Sequence, residues 1–262
     1  MNHFVWNVTP EIFSIGPVTV RWYGALFATG FVCGYYFVRW IYRRENKNVE
    51  ELDNLLLYIA AGTIIGARLG HCLFYDPAYY LSHPWKILAI WEGGLASHGG
   101  GLGVLIGVYL YCRKYSTPYV WLLDRLSIPL ALTGSFIRLG NLFNSEILGS
   151  ASTVPWAIIF QRVDSVPRHP VQLYESLSYL SIFIISFLIY KFYSDKLKNG
   201  FILGVVLVLM FIARIVLEHF KLPQAHYSTG LDMSVGQLLS IPYLIAGCVF
   251  IYLALRNSNK QN

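Results

Sequence analysis

Seven stretches of this chain are long and apolar enough to read as membrane spans: roughly 19–41, 54–75, 95–112, 118–142, 171–192, 200–219 and 233–255. A bilayer core takes about 20 mostly apolar residues per helix, and a helix satisfies its own backbone where no water can. Only 13% of the 262 residues are charged, against about 25% in a soluble domain. The sequence therefore predicts an all-α, polytopic membrane protein of about seven transmembrane helices, a single integral membrane domain over residues 1–262. The third stretch is the weakest helix former, because it contains "GGGLG". Residues 1–18 lack the basic start and clean apolar core of a cleaved signal. They are expected to form a short amphipathic or irregular segment on the membrane surface.

The net charge of +6 would suit a nucleic-acid binder, but the basic residues sit in short loops between spans. Arg39, Arg43, Arg44, Lys47, Arg113, Lys114, Lys191, Lys196, Lys198, Arg256 and Lys260 fall on one side. Arg21, Lys86, Arg162, Arg168 and Lys221 fall on the other. Loops rich in Lys and Arg stay in the cytoplasm, which predicts an outside N-terminus and a cytoplasmic C-terminus. Arg125, beside Asp124 near the cytoplasmic start of the fourth span, reads as an interface anchor. Cys33, Cys72, Cys112 and Cys248 all lie in apolar runs without metal-binding spacing, and are expected to pack as small hydrophobes.

With that orientation, the polar residues inside the spans gather at the outward ends. Tyr23 opens the first span, Arg68 and His71 lie in the second, and His98 opens the third. Arg138 and Asn141 end the fourth, Gln172 and Glu175 open the fifth, Arg214 and Glu218 end the sixth, and Gln237 opens the seventh. Ionisable groups in a membrane are costly and by default mark function. Structural readings stand beside the functional ones. Arg214 and Glu218 are four residues apart and can pair on one helix, Glu218 holding Arg214 in aim. Asn141 and Asn144 can tie helices together or join Arg138 in an anion site. His98 can be a hydrogen-bonding residue at a helix end or a base. The glycines at 93–94 and 99–101 can admit a ligand or let helices pack closely. Arginines at headgroup depth suit a phosphate, which accepts bidentate guanidinium contacts. No carboxylate cluster offers a metal site, and no cofactor is implied. From the residues alone, the chain is an outward-facing handler of an anionic lipid.

The segment "GSFIRLGNLFNSEILG", residues 134–149, closely resembles a family signature, G-R-x-[GA]-N-F-x-N-x-E-x-x-G. Arg138, Asn141, Asn144, Glu146 and Gly149 match its polar and glycine positions; Ile137 and Leu142 depart from it without touching a polar group. The family is the prolipoprotein diacylglyceryl transferases of the bacterial inner membrane. Further blocks follow in the expected order: "RWYG", "GARLGHCLFYD", "WEGGLASHGG", "RHPVQLYE", "RIVLEHF" and "MSVGQLLSIP". The resemblance spans nearly the whole chain. It departs at Met210, where a tyrosine is usual, at Lys221, where arginine is frequent, and at His71, where tyrosine is common.

The resemblance implies transfer of the diacylglyceryl group of phosphatidylglycerol to the lipobox cysteine of a prolipoprotein, leaving a thioether and glycerol 1-phosphate. It implies a multi-pass protein of the bacterial cytoplasmic membrane with its active site toward the outer face. Its key positions fall on Tyr23, His98, Arg138, Asn141, Glu146, Gly149, Arg214 and Glu218. His98 becomes the candidate base, and Arg138 and Arg214 the stabilisers of the departing phosphate. Tyr23 and Asn141 would hold headgroup atoms or position the arginines. Glu146 and Glu218 would orient the arginines, and Gly149 would supply a tight turn where no side chain fits. The implied partners are phosphatidylglycerol, prolipoprotein signal peptides and the bilayer, with no nucleic acid; a monomer is expected. The rival reading is a membrane transporter of an anionic lipid or solute, whose site would sit at the midplane between repeated halves; no repeat is evident.

Overall fold

The computed structural model describes residues 3–16, 18–222 and 234–258. Met233, the first residue of the expected seventh span, and Lys260 lie outside the described residues. The elements run β1 (Phe4–Trp6), β2 (Glu11–Ile15), β3 (Val18–Arg21), α1 (Trp22–Arg44), α2 (Glu51–Phe74) and α3 (Pro77–Ser82). Two 3₁₀ turns (Pro84–Leu88, Ile90–Glu92) lead to α4 (Ser97–Tyr115) and α5 (Tyr119–Asn144). Then come β4 (Ile158–Phe160), β5 (Pro167–Arg168), α6 (Val171–Tyr193), α7 (Phe201–Glu218) and α8 (Val235–Ser258).

Each expected span falls on a long helix. Five are long and apolar enough to cross a membrane: α2, α5, α6, α7 and, over Gly236–Arg256, α8. α1 and α4, at 23 and 19 residues, have comparable length but lower apolarity. The first is rich in Tyr and Trp, the second in Gly.

The all-α expectation needs one correction, before α1 and between α5 and α6. Residues 19–21 begin no helix. With Val18 they form β3, where β-branched Val and Thr suit a pleated surface, and they pair antiparallel with β2 across Gly16 at φ +57°. β1 pairs parallel with β4, and β4 antiparallel with β5. The segment expected to be amphipathic or irregular is strand at Phe4–Trp6, Glu11–Ile15 and Val18. Ile158 and Phe160 pack with Leu142 of α5, flanked by Trp6, Leu148 and Leu173. That small core fixes the chain between α5 and α6, where the polar signature ends.

The chain divides into two compact units, residues 39–123 and residues 1–38 with 124–262. In the first, α2 and α4 meet along glycines. A Cβ on Gly103 would fall 1.9 Å from the Gly62 carbonyl oxygen, and one on Gly66 2.3 Å from that of Gly99. Helices in lipid associate through such backbone approach, because burying apolar side chains gains little there. Gly99 therefore serves helix packing, the second of the two readings left open for these glycines. In the other unit, Asp124 of α5 accepts a hydrogen bond from the Leu203 backbone N–H (2.7 Å), capping the otherwise unpaired start of α7. Arg125 pairs with Asp124 (3.1 Å), donates to Asn199 (3.2 Å) and is 7% exposed. It is a buried member of this cap and not the snorkelling anchor expected. Cys72 and Cys112 are buried as expected; Cys248 is exposed.

Candidate functional site

α5 ends in a way that brings its signature residues together. The Glu146 N–H bonds to the Asn141 carbonyl (3.1 Å) and the Ser145 N–H to that of Leu142 (3.0 Å). This is a Schellman-type stop, with Ser145 left-handed at φ +54° where glycine is usual. Ile147 is also left-handed at φ +57°, a costly conformation for a β-branched residue. The turn folds Glu146 back under α5, where its Oε1 accepts hydrogen bonds from Asn141 Nδ2 (2.9 Å) and Asn144 Nδ2 (3.1 Å). Gln172 of α6 donates to the Glu146 carbonyl (2.7 Å). Asn141, 5% exposed, accepts through Oδ1 from Arg138 Nη1 at 3.2 Å. Glu146 thus acts on Arg138 through Asn141, not by direct contact.

The chain then runs beside the end of α7. Ser150 N–H donates to the Phe220 carbonyl (2.7 Å) and Leu222 N–H to that of Leu148 (3.1 Å), with Gly149 opposite Lys221. A Cβ on Gly149 would lie 2.1 Å from the His169 carbonyl oxygen. Glycine is required there by close backbone approach, not by a positive φ. Arg168 donates to the Gly149 carbonyl (3.3 Å) and is gripped by Asp164. That hydrogen bond holds the Asp164 carboxyl below its ordinary value.

This pairing delivers Lys221 to the site. Its ammonium, 6% exposed, lies 3.1 Å from Glu218 Oε2 and 2.9 Å from Glu175 Oε1. The other Glu175 oxygen lies 3.2 Å from Arg138 Nε. Glu175 itself is fully buried, at 0% exposure. Both its contacts are within ion-pair distance and neither is aligned as a hydrogen bond. The expected Arg214–Glu218 pair does not form. α7 ends at Glu218 and turns back (Lys221 N–H to the Glu218 carbonyl, 3.2 Å), so the lysine takes the carboxylate. Arg214, half-buried one helical turn earlier, makes no ion pair or hydrogen bond with a described residue.

Tyr23 of α1 packs its ring and backbone on Gly140 of α5, where a Cβ would come within 2.8 Å of the ring. Its hydroxyl bonds no described residue, so it does not orient Arg138 directly. In the unit 39–123, His98 is exposed at the start of α4, and its ring forms no hydrogen bond with a described residue. The helix-end hydrogen bond considered for it is not made. Arg68, 3% exposed, has a wholly structural setting. It donates to the carbonyls of Ile87 (2.9 Å), Gly94 (3.3 Å), Gly93 and Lys86, and lies over the Tyr80 ring. His71 stacks on Tyr75. Sequence reasoning noted Glu175 at the head of the fifth span and Lys221 as a departure, and put neither in the site. An acidic residue straight after "RHPVQLY" in an apolar run was the available signal for Glu175. Among the described residues, no three His, Cys, Asp or Glu side chains converge as a metal site would need.

Arg138 and Lys221 face Glu175 and Glu218, Glu146 is held by Asn141 and Asn144, and Arg214 makes no ion pair with a described acidic residue. Long apolar helices carrying such a charged cluster at their ends define a polytopic membrane protein. Residues 10–253 match the family model of prolipoprotein diacylglyceryl transferase, and the chain belongs to that family. It is similar to the phosphatidylglycerol–prolipoprotein diacylglyceryl transferase of Tolumonas auensis, 52% identical over 97% of this chain and 99% of the relative. Proteins of the same name from Chloroherpeton thalassium (48% identity, 99% of this chain, 97% of the relative) and Bacteroides fragilis (42%, 94% of each) are also similar.

Proposed function

We propose that this chain is the transferase that moves the diacylglyceryl group of phosphatidylglycerol onto the lipobox cysteine of a prolipoprotein, the first step of bacterial lipoprotein maturation. Near full-length similarity to relatives of that name supports the reaction. The observation that carries the site is Arg138. Its Nε faces Glu175 and one Nη1 hydrogen goes to Asn141, while no described residue accepts from Nη2. The Nη2 hydrogens and the second on Nη1 therefore remain for phosphate oxygens.

The cysteine sulfur attacks the glyceryl carbon that carries the phosphoester. A C–S bond forms, the C–O bond breaks, and glycerol 1-phosphate leaves with the bonding electrons. A free thiol titrates near 8.5, so a base speeds the attack; His98 is the proposed acceptor of the thiol proton. Arg138 and Arg214 stabilise the charge gathering on the departing phosphate. Tyr23 and Asn141 face the headgroup. Asn144, Glu146, Gly149 and Glu218 hold the framework just described. The reaction balances without a cofactor or metal.

In this reading residues 1–262 form one integral domain of the bacterial inner membrane, with α1 and α4 as spans alongside the other five long helices. The N-terminus lies outside, the C-terminus in the cytoplasm, and the site opens to the periplasmic face; the bias of basic loop residues supports this. The partners are phosphatidylglycerol and prolipoprotein signal peptides, with no nucleic acid, and the working form is a monomer.

Reconstitution in phosphatidylglycerol vesicles with a lipobox peptide tests the proposal. The peptide is expected to gain the mass of one diacylglyceryl group, and an Arg138→Ala protein to add none. Lipid or solute flux with no mass gain would replace the transferase by the transporter. His98→Gln is expected to lower the rate at least tenfold at neutral pH and flatten its rise with pH. A near-normal rate across pH would remove His98 from the role of base.

A further inference from the structure

Glu175 is the most deeply buried charge at this site and is reachable by no substrate, being 0% exposed. Its two oxygens serve cations from two different elements. Oε2 faces Arg138 Nε of α5 at 3.2 Å, and Oε1 faces Lys221 Nζ, beyond α7, at 2.9 Å. A carboxylate taken wholly out of water is tolerated only where paired, and removing one partner leaves an uncompensated charge. Lys221 has a second carboxylate, Glu218, at 3.1 Å. Arg138 has no other acidic partner among the described residues. The asymmetry matters: without Glu175 the lysine stays paired, and the arginine keeps no direct acidic partner among the described residues.

The geometry also sets direction. A guanidinium is planar, with its donors in a fixed fork. A carboxylate on the Nε side and the Asn141 amide oxygen on Nη1 together restrain the plane and leave Nη2 without an acceptor among the described residues. The Arg138 side chain is 17% exposed while Glu175 is sealed. We infer that Glu175 is a positioning residue for phosphatidylglycerol binding: from beneath, it aims the remaining Nη hydrogens of Arg138 at the phosphate and never touches the lipid. It would also tie that aim to the end of α7, since the same carboxylate holds Lys221. The inference rests on the transferase reading for the identity of the phosphate.

The test compares wild type, Glu175→Gln and the double variant Glu175→Gln/Lys221→Met. Transfer to a lipobox peptide is measured as a function of phosphatidylglycerol content in vesicles. Retention of phosphatidylglycerol by the detergent-solubilised protein is measured separately by native mass spectrometry, and stability by thermal melting. Glu175→Gln keeps shape and removes charge; its KM for phosphatidylglycerol is expected to rise about tenfold, with a smaller change in kcat. The double variant removes one buried charge of each sign, so its melting temperature should recover most of the loss while KM stays raised. A wild-type KM and lipid retention in Glu175→Gln, or a normal KM in the double variant, overturns the inference: Glu175 would then only neutralise Lys221. If wild type transfers nothing yet Glu175→Gln still loses retained lipid, the transferase reading fails and the aiming role stands.

Discussion

Arg68 and Arg138 are both arginines of long apolar helices, and only the family signature, not their place in an apolar run, ranks one above the other. Their surroundings differ in kind. Arg68 directs its donors to four backbone carbonyls of the 86–94 segment and lies 3% exposed. It behaves as a staple that closes a loop whose carbonyls would otherwise be unpaired. Arg138 faces a carboxylate and one amide oxygen, both side chains, and its Nη2 has no acceptor among the described residues. A structural arginine has its fork filled by the fold; a ligand-binding arginine has it aimed and left incomplete. Arg214 makes no ion pair or hydrogen bond with a described residue.

The contrast can be broken by lysine, which keeps the charge and loses the fork. Arg214→Lys should lower kcat/KM for transfer about 100-fold, the loss seen for a removed transition-state donor, with an unchanged melting temperature. Arg68→Lys should do the reverse: destabilisation by about 2–3 kcal/mol, from lost charge-assisted bonds, with transfer per folded molecule within about twofold of wild type. If Arg68→Lys melts normally and loses transfer, the staple assignment fails.

A next, smaller effect separates the two units by what holds them. α2 and α4 rely on backbone approach at Gly62, Gly66, Gly99 and Gly103. Gly103→Ala, whose Cβ would fall 1.9 Å from the Gly62 carbonyl oxygen, should destabilise by about 1–3 kcal/mol as overpacking does. Salt should leave that deficit unchanged, as the melting shift at low and high ionic strength would show.

The smallest effect concerns the clamp on Gly149. Hydrogen bonding from Arg168 lowers the Asp164 carboxyl below its ordinary 3.8. A lowered carboxylate contributes stability that is fully present above its unfolded value and is lost as pH falls through the folded one. Asp164→Asn should therefore melt slightly below wild type at neutral pH, and the difference should vanish as pH falls through the lowered carboxyl value. The pair is solvent-accessible, so salt should shrink the difference.

Much of the helical layout could be read from apolar run lengths, since crossing lipid leaves the backbone few options. Strands β1–β5 could not, because two- to five-residue pieces carry no period long enough to register. Within the site, "RLGNLFNSE" named Arg138, Asn141, Asn144 and Glu146, and the helix stop at Ser145 shows how they converge. The i,i+4 spacing of Arg214 and Glu218 misled, because the backbone turn after α7 brings in a competing lysine that helical spacing cannot anticipate. Glu175 was hidden for a related reason. Its partners lie 37 residues before it and 46 after it in sequence, and only the fold brings them together.

The central claim is that the remaining Nη hydrogens of Arg138 bind the phosphate of phosphatidylglycerol as a fork and not as a bare charge. The initial rate of diacylglyceryl mass gain on a lipobox peptide, wild type against Arg138→Lys in the same phosphatidylglycerol vesicles, tests it most directly. A drop of at least about 100-fold in a protein that melts like wild type is predicted; a full rate in Arg138→Lys would contradict it.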